Sequence, residues 1–262
     1  CIFCLLWVPR EMSSSSSSSR IPASIDPSKD RVRSEICAFV QKLGMILKVP
    51  QITIASSIVF FHRFFCKYTF EERNMESVAY ACLFLASKIE ESPIRLKDLI
   101  EQMYREKKKT KIIADGKEFA YWRNEILEKE RHVLHTLGFD FQIEHPYANM
   151  LSKVKQLQHE DPKRLAQFSW NFINDSLRTT LCIQYDPKEI ASTSIYLAIK
   201  YLKTPCTVKG GDITDVLACS METIEKISHQ ILDLYDQTAK PNQSEKTEKN
   251  KEQTKTEMAV ES

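Results

Sequence analysis

Glycine is scarce: five occur among 262 residues, at Gly44, Gly116, Gly138, Gly210 and Gly211. They cannot be assembled into a GxGxxG turn or a Walker-type phosphate loop, which sets aside the common nucleotide-binding architectures. Sheet proteins need glycine at many turns, so the same scarcity favours helices. Long apolar runs are missing as well, with no stretch of about 18 residues able to span a bilayer. Nor does charge of one sign dominate. Lys and Arg number 37 against 35 Asp and Glu, a net of +2. That balance gives no general basic field for nucleic acid and leaves only a local patch as a route to it.

The eight cysteines are scattered, mostly inside apolar helical patterns. They read as small buried hydrophobes in a reducing compartment. The one CxxC, Cys1 to Cys4, has no second pair at zinc-ligand spacing, so no metal is expected there. His132 and His135 stand three apart on a helix, a spacing that suits a metal, but no further ligand cluster points at them. No nucleophile–base pair, paired carboxylate site or phosphate loop stands out, and neither an enzyme nor a cofactor is expected.

The ends read differently from the middle. "CIFCLLWVPREMSSSSSSSR" opens without methionine, as at a fragment edge or a misplaced gene start. Its apolar part is eight residues long and has no basic n-region, which makes a poor secretory signal. The serine run from Ser13 to Ser19 is linker-like. "PNQSEKTEKNKEQTKTEMAVES" closes the chain, polar and mixed in charge, with too little apolar surface to offset the entropy of ordering. Residues 1–25 and 241–262 are therefore expected to be disordered, and residues 26–240 to fold.

Within that folded part, apolar period and breakers predict helices. Asp26-Pro27-Ser28 opens the first, and Lys48-Val49-Pro50 ends it. The second runs from about Gln51 to Tyr68 and the third from about Asn74 to Glu91. Pro93 suits the first position of a fourth, which fades in "REKKKTK". The fifth runs from about Lys117 to Leu137 and stops at Gly138. Then the pattern returns. "VAYACLFLASK" from Val78 aligns with "IASTSIYLAIK" from Ile190, so that Ala79 falls on Ala191, Leu85 on Leu197, Ala86 on Ala198 and Lys88 on Lys200. The same shift lays "IVFFHR" from Ile58 on "WNFIND" from Trp170. One five-helix unit is used twice, with the join near Asp140 to Pro146. The expectation is an all-α chain with units at 26–142 and 143–240 and essentially no sheet.

One stretch does not fit a purely structural pattern: "LASKIEES", residues 85–92. Ala79 to Ser87 carry no charge, so this helix is buried on most sides. Yet it ends in Lys88, Ile89, Glu90 and Glu91, with carboxylates where the helix dipole prefers cations. On the fifth helix Phe119, Trp122, Ile126, Val133, Leu134 and Leu137 form an apolar stripe, and Glu130 falls inside it. A carboxylate there needs a cation or several donors, and Lys88 is the candidate. The pair is either an ion pair serving the fold or the centre of a binding surface. Glu90 and Glu91 are either solvated charges or aids to placing Lys88. Arg63 and Asp175 fall at equivalent positions of the two repeats and are expected to satisfy buried polar groups, each in its own unit. His145 reads as a turn residue before Pro146.

Four segments carry a resemblance. "FFHRFF" (Phe60 to Phe65), "ACLFLASKIEESP" (Ala81 to Pro93), "LHTLGFDFQIEHPY" (Leu134 to Tyr147) and "WNFINDSLRTT" (Trp170 to Thr180) resemble the cyclins, most of all the transcriptional group of cyclins K, T and L. The match covers about residues 28–236. It implies two consecutive five-helix cyclin boxes and a non-catalytic subunit that activates a cyclin-dependent kinase. Such a subunit packs against the regulatory helix of the kinase's small lobe in a heterodimer. The kinase implied is of the transcriptional type, acting in the nucleus in transcription by RNA polymerase II or linked RNA processing. No cofactor, membrane or direct nucleic-acid contact is implied.

Lys88 and Glu130 stand where the family carries its signature Lys and Glu, on the kinase-facing surface. Ile89, Leu134 and Phe139 are carried over as apolar companions, giving a polar centre in an apolar patch. Cell-cycle cyclins also carry a docking pattern, MRAIL followed by tryptophan. Here it is "VRSEI" (Val32 to Ile36) with Phe39 in place of the tryptophan, and the charge of Glu35 speaks against that kind of substrate docking. "NDSLRT" and "REKKKTKIIADGKEFAYW" lean toward the L type, "TTLCIQYDP" and "HQILDLY" toward K or T, and the subgroup stays open. The competing class is a two-repeat general transcription factor binding promoter DNA. It should show a strong basic face and often a zinc ribbon, and neither is evident.

Overall fold

The computed structural model describes residues 29–69, 73–113, 116–204, 206–208 and 212–239. The two terminal segments expected to be disordered, and the Cys1–Cys4 pair with them, lie outside the described residues. The first unit comprises α1 (Asp30–Ile46), α2 (Gln51–Phe64), α3 (Met75–Ile89), α4 (Leu96–Lys108) and α5 (Lys117–Leu137). The second comprises α6 (Pro146–Gln156), β1 (Leu157–His159), α7 (Pro162–Ser176), α8 (Leu181–Gln184), α9 (Pro187–Leu202), β2 (Cys206–Val208), α10 (Ile213–Leu217) and α11 (Met221–Ala239).

α3 and α9 are the central helices. Asn74 caps α3, its side chain accepting from the amides of Glu76 at 3.1 Å and Ser77 at 3.3 Å. Every residue from Ser77 to Ser87 is buried, with α2, α5 and α1 packed around them. A helix without a solvent face has no place for a charge, which is why that run is uncharged. α9 repeats the design. Pro187 opens it, Asp186 and Glu189 close a capping box, and α7, α6 and α11 surround it. Two buried serines are satisfied within their own helices: Ser87 donates to the Phe84 carbonyl at 2.7 Å and Ser194 to that of Ile190 at 2.8 Å. Small side chains let neighbours approach closely. At Gly44 of α1 a Cβ would lie 2.5 Å from Cγ1 of the buried Ile54 on α2, so only glycine admits that crossing.

α7 and α9 begin and end within a residue of where the repeat places them against α2 and α3. Three local expectations are corrected. α2 ends at Phe64, short of Tyr68. α4 starts at Leu96 and not at Pro93. The reason lies in Ser87, whose carbonyl accepts from the Ser92 amide at 2.9 Å and whose hydroxyl accepts from the Ile94 amide at 3.4 Å. These bonds tie the segment back to α3, with Glu91 at φ 51° and Arg95 still extended. The third correction concerns the absence of sheet. β1 and β2 form a short antiparallel ribbon pairing Leu157 with Val208, Gln158 with Thr207 and His159 with Cys206. β2 pairs its backbone with the extended residues that directly follow α6.

The two units meet through polar groups. Gln41 donates to the Asn174 carbonyl at 2.7 Å. Gln51 and the Tyr147 hydroxyl converge on the side-chain oxygen of Asn174, at 3.0 and 2.9 Å. His62, buried on α2, donates from Nε2 to the Leu177 carbonyl at 2.9 Å, and its Nδ1 has no hydrogen-bond partner among the described residues. The ring is therefore the neutral Nε2–H tautomer. Burial, then the charge of Arg33, pushes its pKa down to about 3.

The unfolded chain takes up a proton on this ring below about pH 6.5, and the folded chain does not until about pH 3. Stability is thus complete above that upper value. It falls as pH drops toward the lower one, by up to ~1.4 kcal/mol per pH unit. His145, half-buried, is shifted in the same direction by burial. His62→Gln keeps a donor and removes one titration. Urea midpoints taken between about pH 7 and about pH 5 should therefore fall less steeply than in the wild type, His145 supplying the remainder. An unchanged slope would count against a neutral, inter-unit His62.

Candidate protein-interaction site

The last turn of α3 meets α5 at one ion pair. Lys88 Nζ lies 2.7 Å from Glu130 Oε1. The Glu130 side chain is 10% exposed and that of Lys88 46% exposed, so the carboxylate is inside and the ammonium at the surface. Ile126 and Val133, on either side of Glu130 in the stripe, are fully buried. Lys88 Nζ also lies 4.0 Å from the centroid of the Phe84 ring. A carboxylate and an aromatic face thus fix the cation, and two of its three donors remain for an outside acceptor. Lys88 sits in the last turn, where the helix dipole favours it.

The end of α5 supplies the apolar part. Gly138 at φ 62° and Phe139 at φ 59° terminate the helix. The Phe139 amide donates to the Leu134 carbonyl at 3.3 Å, the long bond of a Schellman turn. That motif brings together the residue after the glycine and the residue opening the last turn, here Phe139 and Leu134. Leu134 and Ile89 are half-buried against the core. Phe139 is 62% exposed. Its ring stands edge-on to His135 and to Phe141, each at 6.1 Å, and Phe141 continues to Phe60 at 5.8 Å. A left-handed backbone costs an ordinary residue roughly 1–2 kcal/mol. Phe139 therefore combines a strained backbone with a large side chain left mostly in solvent.

Other residues singled out in the sequence take different places. Glu90 is half-buried and hydrogen-bonded. Its Oε1 accepts from the Ser56 hydroxyl at 2.7 Å, and that hydroxyl lies 2.9 Å from His145 Nε2. Ser56 gives its one proton to Glu90, so His145 donates to Ser56. The chain of three ties the end of α3 to the connection between the units. Glu91 is exposed. Arg63 donates to the Gln142 carbonyl at 3.4 Å and lines a cleft of about 840 Å³ between the units. Lys67, Asp140, Glu144, Asp186 and Glu189 line the same cleft, charges of both signs that select neither an anion nor a cation. Asp175 accepts from the Tyr235 hydroxyl at 2.5 Å, and burial raises its pKa.

Arg33 of "VRSEI" is buried and pairs with Asp30 at 3.7 Å. His135 faces Phe139, and among the described residues no three His, Cys, Asp or Glu side chains gather to hold a metal ion. Phe84 and Ser56 escaped the sequence reading. Each lies inside an apolar run, where the periodic pattern marks it as core and gives no sign of a polar contact.

Two helical units, each built around a buried central helix, define, first, an all-α protein of tandem helical repeats. More particularly, the chain belongs to the cyclin family. The cyclin N-terminal domain matches residues 6–142 and the cyclin C-terminal domain residues 143–262. The chain is similar to Cyclin-T1-4 of Arabidopsis thaliana, 39% identical over 225 residues, covering 83% of this chain and 41% of that protein. It is also similar to Cyclin-L2 of Mus musculus, 36% identical over 204 residues, covering 76% and 39%. The chain spans less than half the length of these curated relatives. Among solved structures it is similar to a chain of the yeast RNA Pol II CTD kinase CTDK-1 complex, with TM-score 0.63 and 17% identity, covering 79% of this chain and 66% of that one. A viral cyclin from herpesvirus saimiri gives 0.59 at 16%, covering 78% and 86%. At such identities these likenesses show the fold.

Proposed function

We propose that this chain is the regulatory subunit of a transcriptional cyclin-dependent kinase. It binds the kinase through Lys88, Glu130, Ile89, Leu134 and Phe139, activates it without catalysis of its own, and works in the nucleus on transcription by RNA polymerase II or linked RNA processing. The observation that carries the reading is Lys88, pinned from inside by Glu130 and open outward, with Phe139 exposed just past the end of the helix that carries Glu130. The names of the relatives, T-type and L-type cyclins, support the transcriptional group.

The geometry supplies a mechanism. Glu130 fixes the Lys88 ammonium, so its free donors meet a kinase carbonyl or carboxylate without first being ordered. Phe139 supplies a large apolar anchor in a rigid turn, and Ile89 and Leu134 exclude water around the polar centre. Held against this surface, the kinase's regulatory helix is confined to one position, and that restriction is the activating event. The test is affinity purification of the tagged full chain with mass spectrometry, then reconstitution. A cyclin-dependent kinase should co-purify, and adding the chain to that kinase should raise phosphorylation of an RNA polymerase II tail peptide. Recovery of no such kinase, or equal activity without the chain, would overturn the proposal.

A further inference from the structure

The repeat that builds the fold also copies part of this surface. Lys200 stands where Lys88 stands, and its Nζ lies 5.3 Å from the Tyr196 ring centroid, just as Lys88 lies over Phe84. Tyr201 stands where Ile89 stands. One part is not copied. The buried stripe of α11 is Ile224, Ile227, Ile231 and Leu234, with no carboxylate in the role that Glu130 plays on α5. Lys200 thus has its aromatic platform but no carboxylate partner among the described residues.

The same end of α9 and the part of α7 that faces it carry further aromatic and basic side chains. Tyr201 is 63% exposed, and its ring lies obliquely against Phe168 of α7 with centroids 4.9 Å apart. Arg164 lies 5.9 Å from the Phe168 ring, and Lys203 is exposed at the left-handed residue that ends α9. Arg164, Lys200 and Lys203 form no ion pair with a carboxylate among the described residues. Asp161 caps α7 through the Arg164 amide at 3.0 Å, and Asp175 accepts from Tyr235.

We infer that this face of the second unit is a docking site for an acidic protein segment. A carboxylate of the partner takes the place beside Lys200 that Glu130 fills beside Lys88, and an apolar side chain packs on Tyr201 and Phe168. A carboxylate is favoured over a nucleic-acid phosphate on two grounds. The first unit shows which counter-ion this position takes, and a net charge of +2 supplies no extended basic track for a phosphate backbone. The site shares no residue with the proposed kinase surface, so its test stands apart from that reading.

The experiment is fluorescence anisotropy of the full chain with a labelled peptide of alternating glutamate and serine around one central tryptophan. Saturable, salt-weakened binding is expected. Tyr201→Ala and Lys200→Glu should each weaken it about tenfold or more. Lys155→Glu, an equal change of charge at an exposed position on α6, should leave it unaltered. All three positions are exposed, and circular dichroism confirms that the variants fold. No binding at millimolar peptide would overturn the inference. So would equal weakening by Lys155→Glu, or tighter binding of oligouridine through the same residues.

Discussion

Replacing Glu130 by alanine should weaken the chain's affinity for the proposed kinase partner by roughly 30-fold to several-thousand-fold, equivalent to about 2–5 kcal/mol, with little change in melting temperature. The asymmetry follows from the exposures. In the free chain Lys88 is 46% exposed, so losing its partner leaves the ammonium in water at small cost. In the proposed complex the same ammonium would be enclosed, and without Glu130 it would be a buried charge aimed by nothing. The carboxylate is desolvated in the free chain, and removing it also removes that penalty, which offsets the lost ion pair.

An ion pair serving only the fold forecasts the reverse. The melting temperature would drop markedly, and the molecules still folded would bind with full affinity. Measuring both quantities on one preparation, with the kinase that co-purifies, separates the two. A double-mutant cycle with Lys88→Ala should show that the losses are not additive, because each partner acts through the other. Full affinity in a fully folded Glu130→Ala would sink the assignment of this surface.

That Glu130 could be found at all reflects how a helix records its surroundings. A charge inside an otherwise apolar stripe breaks a period, and a broken period is visible in one dimension. The uncharged run of α3 and its copy in α9 were legible for the same reason, and their caps, Asn74 and Asp186, are local. What escaped depends on partners that no local rule names. Pro93 satisfies every local rule for starting a helix, yet Ser87 holds the backbone on either side of it in another shape. The ribbon pairs residues near 158 with residues near 207, and neither segment is long enough to announce a strand alone. Glu90, Ser56 and His145 form one chain of hydrogen bonds across three elements, and nothing in any one of them names the others. Phe139 is the instructive case. Composition alone assigns a phenylalanine beside Phe141 to the core, and only the left-handed turn lifts it into solvent.

That turn makes the second large prediction, because affinity and stability should move in opposite directions. In Phe139→Gly the strain of a left-handed side-chain-bearing residue, roughly 1–2 kcal/mol, is relieved. Against this stands the extra freedom glycine gives the unfolded chain, about 0.5–1 kcal/mol. The side chain is 62% exposed, its ring edge-on to His135 and Phe141, so little burial is lost. The amide bond to Leu134 is kept, because it belongs to the backbone. Stability should therefore stay level or rise by up to about 1 kcal/mol. Kinase affinity should fall by roughly 30-fold or more, the usual consequence of truncating an aromatic anchor at the centre of an interface. Phe139→Leu keeps an apolar side chain and the strain, and should lose less affinity while gaining no stability. Chemical denaturation and a binding titration on the three proteins give both axes. If Phe139→Gly binds as the wild type does, the ring is no anchor. If it is strongly destabilised, the ring belongs to the core after all, and the left-handed turn carries no message about partners.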